Sequence, residues 1–309
     1  MLRFPGHYNI RRSCLSAIII DGLKISQEIR SEAAEDVREL QIKNGITPGL
    51  AVLLVGDDPA SAVYVRNKER ACNEAGIYTE TFRLDESITQ EKIVALVQHL
   101  NSDERFHGIL IQLPLPPQVD ERAVILTMDP AKDVDGLHPA NLGWLLEGNP
   151  IFVPCTPGGV QQLLMRTGFD PSGKHLVVCG RSAIVGKPVA VMMLQKMHGA
   201  NATVTVCHTG TKNLSDITRS ADILVVAMGR ANSITADMVK DGVVVIDVGI
   251  NRVPDASRKR GYRMEGDVEF QSVSEKAAAI TPVPGGVGPM TVAMLLVNTV
   301  KAAKNSMPS

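Results

Sequence analysis

The eleven residues from Thr281 to Thr291 constrain this chain more than any other segment. They read Thr-Pro-Val-Pro-Gly-Gly-Val-Gly-Pro-Met-Thr, with three prolines and three glycines. Proline fixes φ and lacks an N–H donor, while glycine reaches backbone angles closed to other residues. We predict a stiff loop, neither helix nor strand, that feeds a helix from Thr291 to Val300. Such a loop suits close approach of backbone to a flat or anionic ligand, although a tight connector would use the same residues.

Length and composition limit the class of protein. The chain has 309 residues, enough for two domains, with 44% hydrophobic and 21% charged residues. Its net charge of −1 provides no field that would attract nucleic acid or a membrane, and 4% aromatics argue against base stacking. No apolar run approaches the roughly 18 residues of a membrane span. We therefore expect neither a nucleic-acid nor a membrane partner.

The cysteines and the amino terminus bear on location. The five cysteines form no C-x-x-C pair and no Cys/His cluster, which predicts a reducing compartment, no disulfide framework and no metal site. Residues 1–17 carry Arg3, Arg11 and Arg12 and no acid. A transit peptide has this composition, but the segment lacks an apolar face and has few serines. We predict a flexible extension on a cytoplasmic enzyme, with organelle targeting as the alternative.

Two series of alternating strands and helices follow. Continuous apolar runs, typical of buried parallel strands, stand at 50–55 and 108–113 in the first series. A Pro- and Gly-rich stretch from Pro150 to Gly159 marks a domain junction. The second series has predicted strands at 175–179, 202–207, 223–227 and 243–248. Alternation of this kind predicts an α/β protein with doubly wound parallel sheets, and we expect the last helix to pack back on the first domain.

The start of the second series predicts a nucleotide site. The strand His175–Cys179 runs into a turn that begins Gly180-Arg-Ser182 and then into an apolar helix opened by Lys187-Pro188. Strand, glycine turn and helix start together form a phosphate cradle, although a structural tight turn has similar residues. Two further predicted strand ends, at Gly229 and at 247–251, each carry a glycine and complete the expected nucleotide pocket.

The next strand end bears on the choice of nucleotide. NAD sites usually place an acid about 20 residues past the glycines, to hold the ribose 2′-hydroxyl. Here the strand ends in Cys207-His-Thr-Gly-Thr211, without an acid. Hydroxyls and a guanidinium would accept a 2′-phosphate, and Arg181 and Ser182 are close by in the turn. We therefore favour NADP over NAD.

Candidate chemical groups lie in the first series. Ser61, Tyr64 and Lys68 share one helical face, and a buried lysine beside a tyrosine can act as acid or base near neutral pH. A surface lysine packed along a tyrosine is the alternative. A Tyr-x-x-x-Lys also occurs in short-chain dehydrogenases, but there it follows the cofactor glycines, and here it precedes them.

Two strand ends add polar groups. Gln112 ends a buried strand, where parallel sheets place their chemistry. Asp133 and Asp135 follow in a loop, and an Asx-type turn would use them as well. Two acids alone do not make a metal site.

Together these motifs resemble the bifunctional methylenetetrahydrofolate dehydrogenase/cyclohydrolase family, in family order from about residue 18 to about residue 304. The matching segments are 55–68, 108–116, 132–136, 154–159, 180–188, 247–251, 266–268 and the loop 281–291. The resemblance implies oxidation of 5,10-methylenetetrahydrofolate with NADP and hydrolysis of the methenyl product to 10-formyltetrahydrofolate. It also implies a homodimer. Thr209 stands where some members have serine, so use of NAD stays open.

The resemblance also implies domains and residue roles. A catalytic folate domain would span 18–153, joined by the carboxyl-terminal helix 289–309, with a Rossmann-like NADP-binding domain at 154–288 and a cleft between them. Lys68 would be the general acid/base, supported by Gln112, with Tyr64 stacked on or orienting the pterin-bearing substrate and Asp135 binding the pterin ring. The implied substrate contacts are Ser61, Tyr64, Asp135, Pro282, Gly285 and Gly286. The implied NADP contacts are Gly180, Arg181, Ser182, Thr209 and Ile250.

Two other functions stay open at this point. A monofunctional or NAD-using dehydrogenase would have the same fold without the hydrolytic step. A non-catalytic NADP-binding sensor would not need Lys68, Tyr64, Gln112 and Asp135 together, because it has no proton to move. The presence of all four residues therefore favours an enzyme.

Overall fold

The computed structural model describes residues 17–258 and 260–307, with the side chain of Ala60 left out. The predicted extension 1–17 lies outside the described residues except for Ala17, and so does Cys14.

The first half of the chain builds a three-stranded parallel sheet in the order β3-β2-β4, with helices on both faces. Strand β2 is buried along its whole length, which explains its unbroken apolar sequence. In chain order the elements are β1 (Ile18–Ile19), α1 (Gly22–Asn44), β2 (Gly49–Val55), α2 (Pro59–Ala75), β3 (Tyr78–Leu84), α3 (Gln90–Ser102), β4 (Gly108–Ile111), α4 (Glu121–Thr127) and α5 (Pro139–Glu147).

The second half builds a six-stranded parallel sheet in the order β1-β11-β8-β7-β5-β6 and an antiparallel hairpin of β9 and β10. Apolar clusters cover both faces of the large sheet, so the predicted two-domain, doubly wound α/β fold is confirmed. Its elements are α6 (Cys155–Arg166), β5 (His175–Cys179), α7 (Gly186–Met193), β6 (Thr203–Cys207), α8 (Leu214–Ser220), β7 (Ile223–Val226), β8 (Val244–Asp247), β9 (Asn251–Pro254), β10 (Tyr262–Glu265), α9 (Phe270–Ser274), β11 (Ala279–Ile280) and α10 (Val287–Asn305).

The first strand pairs outside its own half of the chain. Ile18 and Ile19 of β1 lie in the range predicted for the catalytic domain, but they pair with Ala279 and Ile280 of β11. A two-residue strand carries no periodicity from which its partner could be read. This pairing places the start of α1 next to the loop that follows β11.

The last helix begins inside the segment Thr281–Thr291, which we call the proline–glycine segment. Helix α10 starts at Val287, so the prediction that the segment contains no helix is wrong for its last residues. The first turn of a helix has no intrahelical partners for its N–H groups, and Pro289 therefore sacrifices no hydrogen bond there. Met290 packs in the core beside the large sheet, whereas Leu296 and Val300 pack in the core beside the small one. Helix α10 thus connects the two cores.

The stretch predicted as a domain junction is also partly helical. Helix α6 begins at Cys155 and includes Gly158 and Gly159. A Cβ on Gly159 would lie 2.7 Å from Cβ of Met290, and one on Gly158 would lie 3.2 Å from Cε of Met294. These glycines allow close packing of α6 against α10.

Candidate active site

Helix α2 carries the lysine and the tyrosine. Its first turn is fixed by the Asp58 carboxylate, which accepts a 2.7 Å hydrogen bond from the Ser61 N–H. Lys68 is buried, with 8% of its surface exposed, and its Nζ donates a 3.0 Å hydrogen bond to Oε1 of Gln112. The Gln112 amide donates in turn to the Leu113 carbonyl at 2.8 Å, which fixes its oxygen toward the lysine. Lys68 and Gln112 are therefore in direct contact, as the predicted support of Lys68 by Gln112 requires.

The two aspartates after β4 have different roles. Asp133 is fully buried and accepts hydrogen bonds from the N–H groups of Leu137 and His138 and from the Asn141 amide, at 3.2, 2.7 and 2.8 Å. Burial raises the pKa of Asp133. Asp133 thus organises the turn through N–H groups four and five residues on, not two residues on as in an Asx turn. Asp135 is left to face a pocket.

We call that pocket the lysine pocket; its volume is about 180 Å³. Thr156 of α6 and Thr291 of α10 meet there, with 3.1 Å between their hydroxyl oxygens. The Cys155 thiol is buried in its wall, and burial raises the pKa of this thiol well above its usual range. The pocket is lined by Lys68, Ile111, Gln112, Leu113, Asp135, Leu137, Pro154, Cys155, Thr156, Ile184 and Thr291. Because Ile184 belongs to the glycine turn after β5, the pocket borders the nucleotide side.

The second cavity, of about 570 Å³, is walled by the proline–glycine segment, and we call it the loop cavity. Pro282, Gly285 and Gly286 line it, as does Tyr64, which is 43% exposed. The Leu23 N–H donates to the Gly285 carbonyl at 3.1 Å, and Gly285 has φ +107°, which favours glycine. The start of α1 thus holds this loop at the cavity edge.

The glycine turn after β5 is built by close backbone approach. A Cβ on Gly180 would lie 2.2 Å from the Ala227 carbonyl oxygen, and one on Gly186 would lie 2.2 Å from the Gly180 carbonyl oxygen. The Ser182 hydroxyl oxygen accepts hydrogen bonds from the N–H groups of Val185 and Gly186, at 3.1 and 3.3 Å. The turn therefore differs from the predicted phosphate cradle in one respect. The N–H groups of Val185 and Gly186 already have a partner, so the side chains of Arg181 and Ser182 are the groups left to contact a phosphate.

The residues around the turn fit a phosphorylated ribose. Arg181 is exposed and forms no ion pair with an acid in the described part of the chain. Thr209 is exposed after β6, and Ile250 is exposed at the edge of the loop cavity. No acid follows β6 before Asp216, so nothing there would repel a 2′-phosphate.

Two buried carboxylates fix the strand ends around the loop cavity. Asp267 is fully buried and accepts hydrogen bonds from the N–H groups of Met228, Gly229 and Arg230. Asp247 accepts from the N–H groups of Gly249, Asp267 and Val268, at 2.9, 3.1 and 2.9 Å. The sequence offered Gly266-Asp-Val268 only as a matching motif. In the structure, this motif holds the backbone that follows the strand ends.

Helix α10 adds a residue that the sequence did not indicate. The Asn298 amide donates to the carbonyl oxygens of Val134 and Val153, at 2.8 and 2.9 Å, and is buried. Val134 precedes Asp135 directly, so Asn298 fixes the backbone that carries this aspartate. No local pattern in the sequence marks a contact between residues this far apart.

Most of the predicted contacts lie in these two cavities or at the glycine turn, and the exceptions are Thr209, which follows β6, and Ser61. Ser61 is buried in the first turn of α2 and lines neither cavity. Across the described residues, no group of three or more His, Cys, Asp and Glu side chains is placed to hold a metal ion. No helix among them is long and apolar enough to cross a membrane.

The fold and the site define a class: two-domain α/β enzymes with a nucleotide-binding domain beside a catalytic cleft. The model for the tetrahydrofolate dehydrogenase/cyclohydrolase catalytic domain matches residues 20–135, and that for the NAD(P)-binding domain of the same family matches residues 154–307. The chain belongs to the tetrahydrofolate dehydrogenase/cyclohydrolase family.

Individual relatives are similar over nearly the whole chain. The bifunctional protein FolD of Chlorobium chlorochromatii is 56% identical over 287 residues, covering 92% of this chain and 97% of that protein. The crystal structure of the bifunctional enzyme FolD from Campylobacter jejuni has a TM-score of 0.89 and 49% identity, covering 94% of this chain and all of that one. The FolD of Trypanosoma brucei, solved with NADP cofactor and an inhibitor, has a TM-score of 0.89 and 41% identity, covering 95% of this chain and 99% of that one.

Proposed function

We propose that this protein oxidises 5,10-methylenetetrahydrofolate to 5,10-methenyltetrahydrofolate with NADP and hydrolyses the product to 10-formyltetrahydrofolate. The observation that carries the proposal is the lysine pocket. A buried lysine hydrogen-bonded to Gln112 lies there with Asp135, and Ile184 of the nucleotide turn forms part of the same wall. One substrate can therefore meet both the proton-transfer group and the nucleotide.

The hydrolytic step needs a mobile proton near the reacting carbon. Water adds to the carbon of the methenyl cation, the bond from that carbon to one ring nitrogen breaks, and one proton is released. Lys68 moves this proton and, when charged, stabilises the developing tetrahedral species. Gln112 holds the ammonium group in place, and the Asp135 carboxylate accepts paired N–H bonds from the pterin ring.

The hydride step depends on positioning more than on an acid. NADP supplies the hydride acceptor when bound, and the ring nitrogens of the folate provide the electronic push. Arg181, Ser182 and Thr209 would hold its phosphates, Gly180 would allow its close approach to the backbone, and Ile250 would contact the nucleotide. Tyr64 stacks on the substrate, while Pro282, Gly285 and Gly286 form the opposite wall of the loop cavity. Ser61 contributes a lesser substrate contact.

The proposal includes organisation and location. The catalytic domain comprises residues 18–153 joined by residues 289–309, which include most of α10, and residues 154–288 bind NADP. Packing of α10 against α1, α2 and β4 of the first half supports this division. We further propose a cytoplasmic homodimer without nucleic-acid or membrane partners.

The test is a pair of assays on purified protein. Oxidation of methylenetetrahydrofolate is followed with NADP and with NAD in parallel, and methenyltetrahydrofolate hydrolysis is followed without nucleotide. We expect NADP-dependent oxidation and nucleotide-independent hydrolysis. Oxidation without hydrolysis would identify a monofunctional dehydrogenase, and a preference for NAD would contradict the proposed roles of Arg181 and Thr209.

The substitution Lys68→Gln tests the proton-transfer role. Since a positioned acid/base contributes about 10²–10⁴-fold, we expect hydrolysis to fall by at least about a hundredfold. Folding, followed by thermal unfolding, and NADP binding should be retained. Lys92→Gln, which replaces an exposed lysine of α3, is the matched control. Hydrolysis at the wild-type rate in Lys68→Gln would refute the role of Lys68.

A further inference from the structure

Two cysteines face each other where β5 and β6 end. Cys179 is the last residue of β5 and Cys207 is the last residue of β6, and the parallel register pairs them directly. Paired residues on neighbouring parallel strands point to the same face, and both side chains pack in one apolar cluster. Their sulfur atoms are close enough for each thiol to affect the pKa of the other. Two thiols are therefore in contact, each one residue before a turn of the proposed NADP site.

The geometry of this pair allows a disulfide. Neighbouring strands lie about 4.8 Å apart, which is within the roughly 4.4–6.8 Å that separates the Cα atoms of disulfide-bonded cysteines. The four described cysteines are all free in the structure. Bonded sulfur atoms are only about 2.05 Å apart, closer than any non-bonded contact. Formation of the bond must therefore shift the ends of the two strands.

Both strand ends are tightly connected to the turns that follow them. The Gly180 N–H donates to the Cys207 carbonyl at 2.8 Å, and a Cβ on Gly180 would lie 2.2 Å from the Ala227 carbonyl oxygen. The Thr211 hydroxyl accepts a 2.8 Å hydrogen bond from the His208 N–H and also contacts the Cys207 thiol. A shift at either cysteine is therefore passed to the glycine turn and to the loop after β6.

We propose that Cys179 and Cys207 form a redox-sensitive pair, which a peroxide oxidises to a disulfide that weakens NADP binding. The effect on NADP rests on the proposed function. Disulfides in reducing compartments are usually transient and either catalytic or redox-sensing. Two free thiols in contact beside a ligand site, outside the lysine pocket and the loop cavity, fit a redox-sensing role.

The reaction proceeds through a sulfenic acid. The Cys207 thiolate attacks one oxygen of hydrogen peroxide, so that an S–O bond forms, the O–O bond breaks and the other oxygen leaves as water after taking up a proton. The Cys179 sulfur then attacks the Cys207 sulfur, loses its proton, and displaces the hydroxyl group as water. Two thiols and one peroxide thus give one disulfide and two waters, with two electrons passing from sulfur to oxygen.

The surroundings of the two thiols decide which one attacks. Burial raises the pKa of both, that of Cys179 to about 12. In Cys207 this effect is opposed by contacts with the Cys179 thiol and the Thr211 hydroxyl. Because the thiolate is the nucleophile, Cys207 attacks the peroxide and Cys179 resolves the sulfenic acid. The raised pKa values make the reaction slow, so the pair responds to sustained exposure to peroxide.

Peptide mapping by mass spectrometry tests the cross-link in the full-length protein. Cleavage by trypsin after lysine and arginine gives the peptides 175–181 and 197–212, each of which contains one cysteine. After treatment with hydrogen peroxide we expect these two peptides to be joined, and to separate on reduction with dithiothreitol. Oxidised protein in which the two peptides are not joined would overturn the inference.

Calorimetric titration with NADP tests the consequence of the cross-link. Coupled sites usually change each other's affinity by about 5–150-fold, so we expect oxidation to weaken NADP binding about tenfold, and dithiothreitol to restore it. Cys207→Ala, which lacks the attacking thiol, should keep its NADP affinity in peroxide. The matched control is Cys72→Ala, at a buried cysteine of α2, which should lose affinity as the wild type does.

The remaining outcomes separate this inference from the proposed function. A cross-link that leaves NADP affinity unchanged would overturn the redox control, as would an equal loss of affinity in Cys207→Ala. A reduced wild type that does not bind NADP would instead contradict the proposed function and with it the effect on NADP. The peptide map would then decide the cross-link alone.

Discussion

The lysine pocket and the loop cavity lie one helical turn apart on α2 but are built differently. In the small lysine pocket, Lys68 is hydrogen-bonded to Gln112, and Thr156 is hydrogen-bonded to Thr291. The loop cavity is about three times larger and is walled mainly by proline, glycine and aliphatic side chains. Polar groups held in place by hydrogen bonds suit catalysis, whereas a mainly apolar cavity suits substrate binding. Substitutions in the first should therefore change rates, and substitutions in the second should change KM.

The largest effect on stability should come from Asn298→Ala, which tests how far the lysine pocket depends on a fixed backbone. The change removes the amide donor from the carbonyl groups of Val134 and Val153 and leaves only the weak Cys155 thiol donor on the first, at a cost of about 3 kcal/mol in the free energy of unfolding. Hydrolysis should fall more than NADP affinity, because Asp135 follows Val134. Urea unfolding and the two assays measure these changes.

The control for this prediction is Asn305→Ala at the exposed end of the same helix, which should alter neither property. If Asn298→Ala reduced stability but left hydrolysis intact, the backbone at Asp135 would not need this support.

A second prediction concerns the wall of the loop cavity and its dependence on pH. Burial raises the pKa of Asp247 to about 7 in the folded protein, against a usual value near 4. The stability it contributes is therefore complete below about pH 4 and is lost as pH rises through about 7. Between pH 5 and pH 8 the wild type should lose about 2.5 kcal/mol relative to Asp247→Asn.

Urea unfolding of both proteins at pH 5 and pH 8 measures this difference. The hydrogen bonds altered by the substitution affect both pH values alike, so only the change with pH reports on titration. The exposed Asp241→Asn serves as the control. Parallel pH profiles for Asp247→Asn and the wild type would show that Asp247 does not titrate in this range.

Local patterns predicted β2 and β4 of the small sheet, four of the six strands of the large sheet and the class of the fold, because buried parallel strands have unbroken apolar sequences. They failed where the cause is distant in sequence. The partner of β1 is supplied by β11, and the glycines of α6 are explained by Met290 and Met294 of α10. The same holds for the site. Lys68 and Gln112 stand in recognisable motifs, but the role of Asn298 depends on packing across most of the chain.

The smallest predicted effect concerns Tyr64, which lines the loop cavity one helical turn before Lys68 on α2. Its ring lines the loop cavity, and its hydroxyl makes no hydrogen bond within the described part of the chain. If the ring acts by stacking, Tyr64→Ala should raise KM for methylenetetrahydrofolate by about tenfold, the upper size of an aromatic contact, with a small change in kcat.

Tyr64→Phe separates the ring from the hydroxyl. It keeps the stacking surface, so KM should rise by no more than about twofold. Tyr78→Phe, a half-exposed tyrosine of β3 outside the loop cavity, is the control. A large fall in kcat in Tyr64→Phe would instead mean that the hydroxyl takes part in proton transfer with Lys68. Tyr64 would then act in catalysis together with Lys68, and not only in substrate binding at the loop cavity.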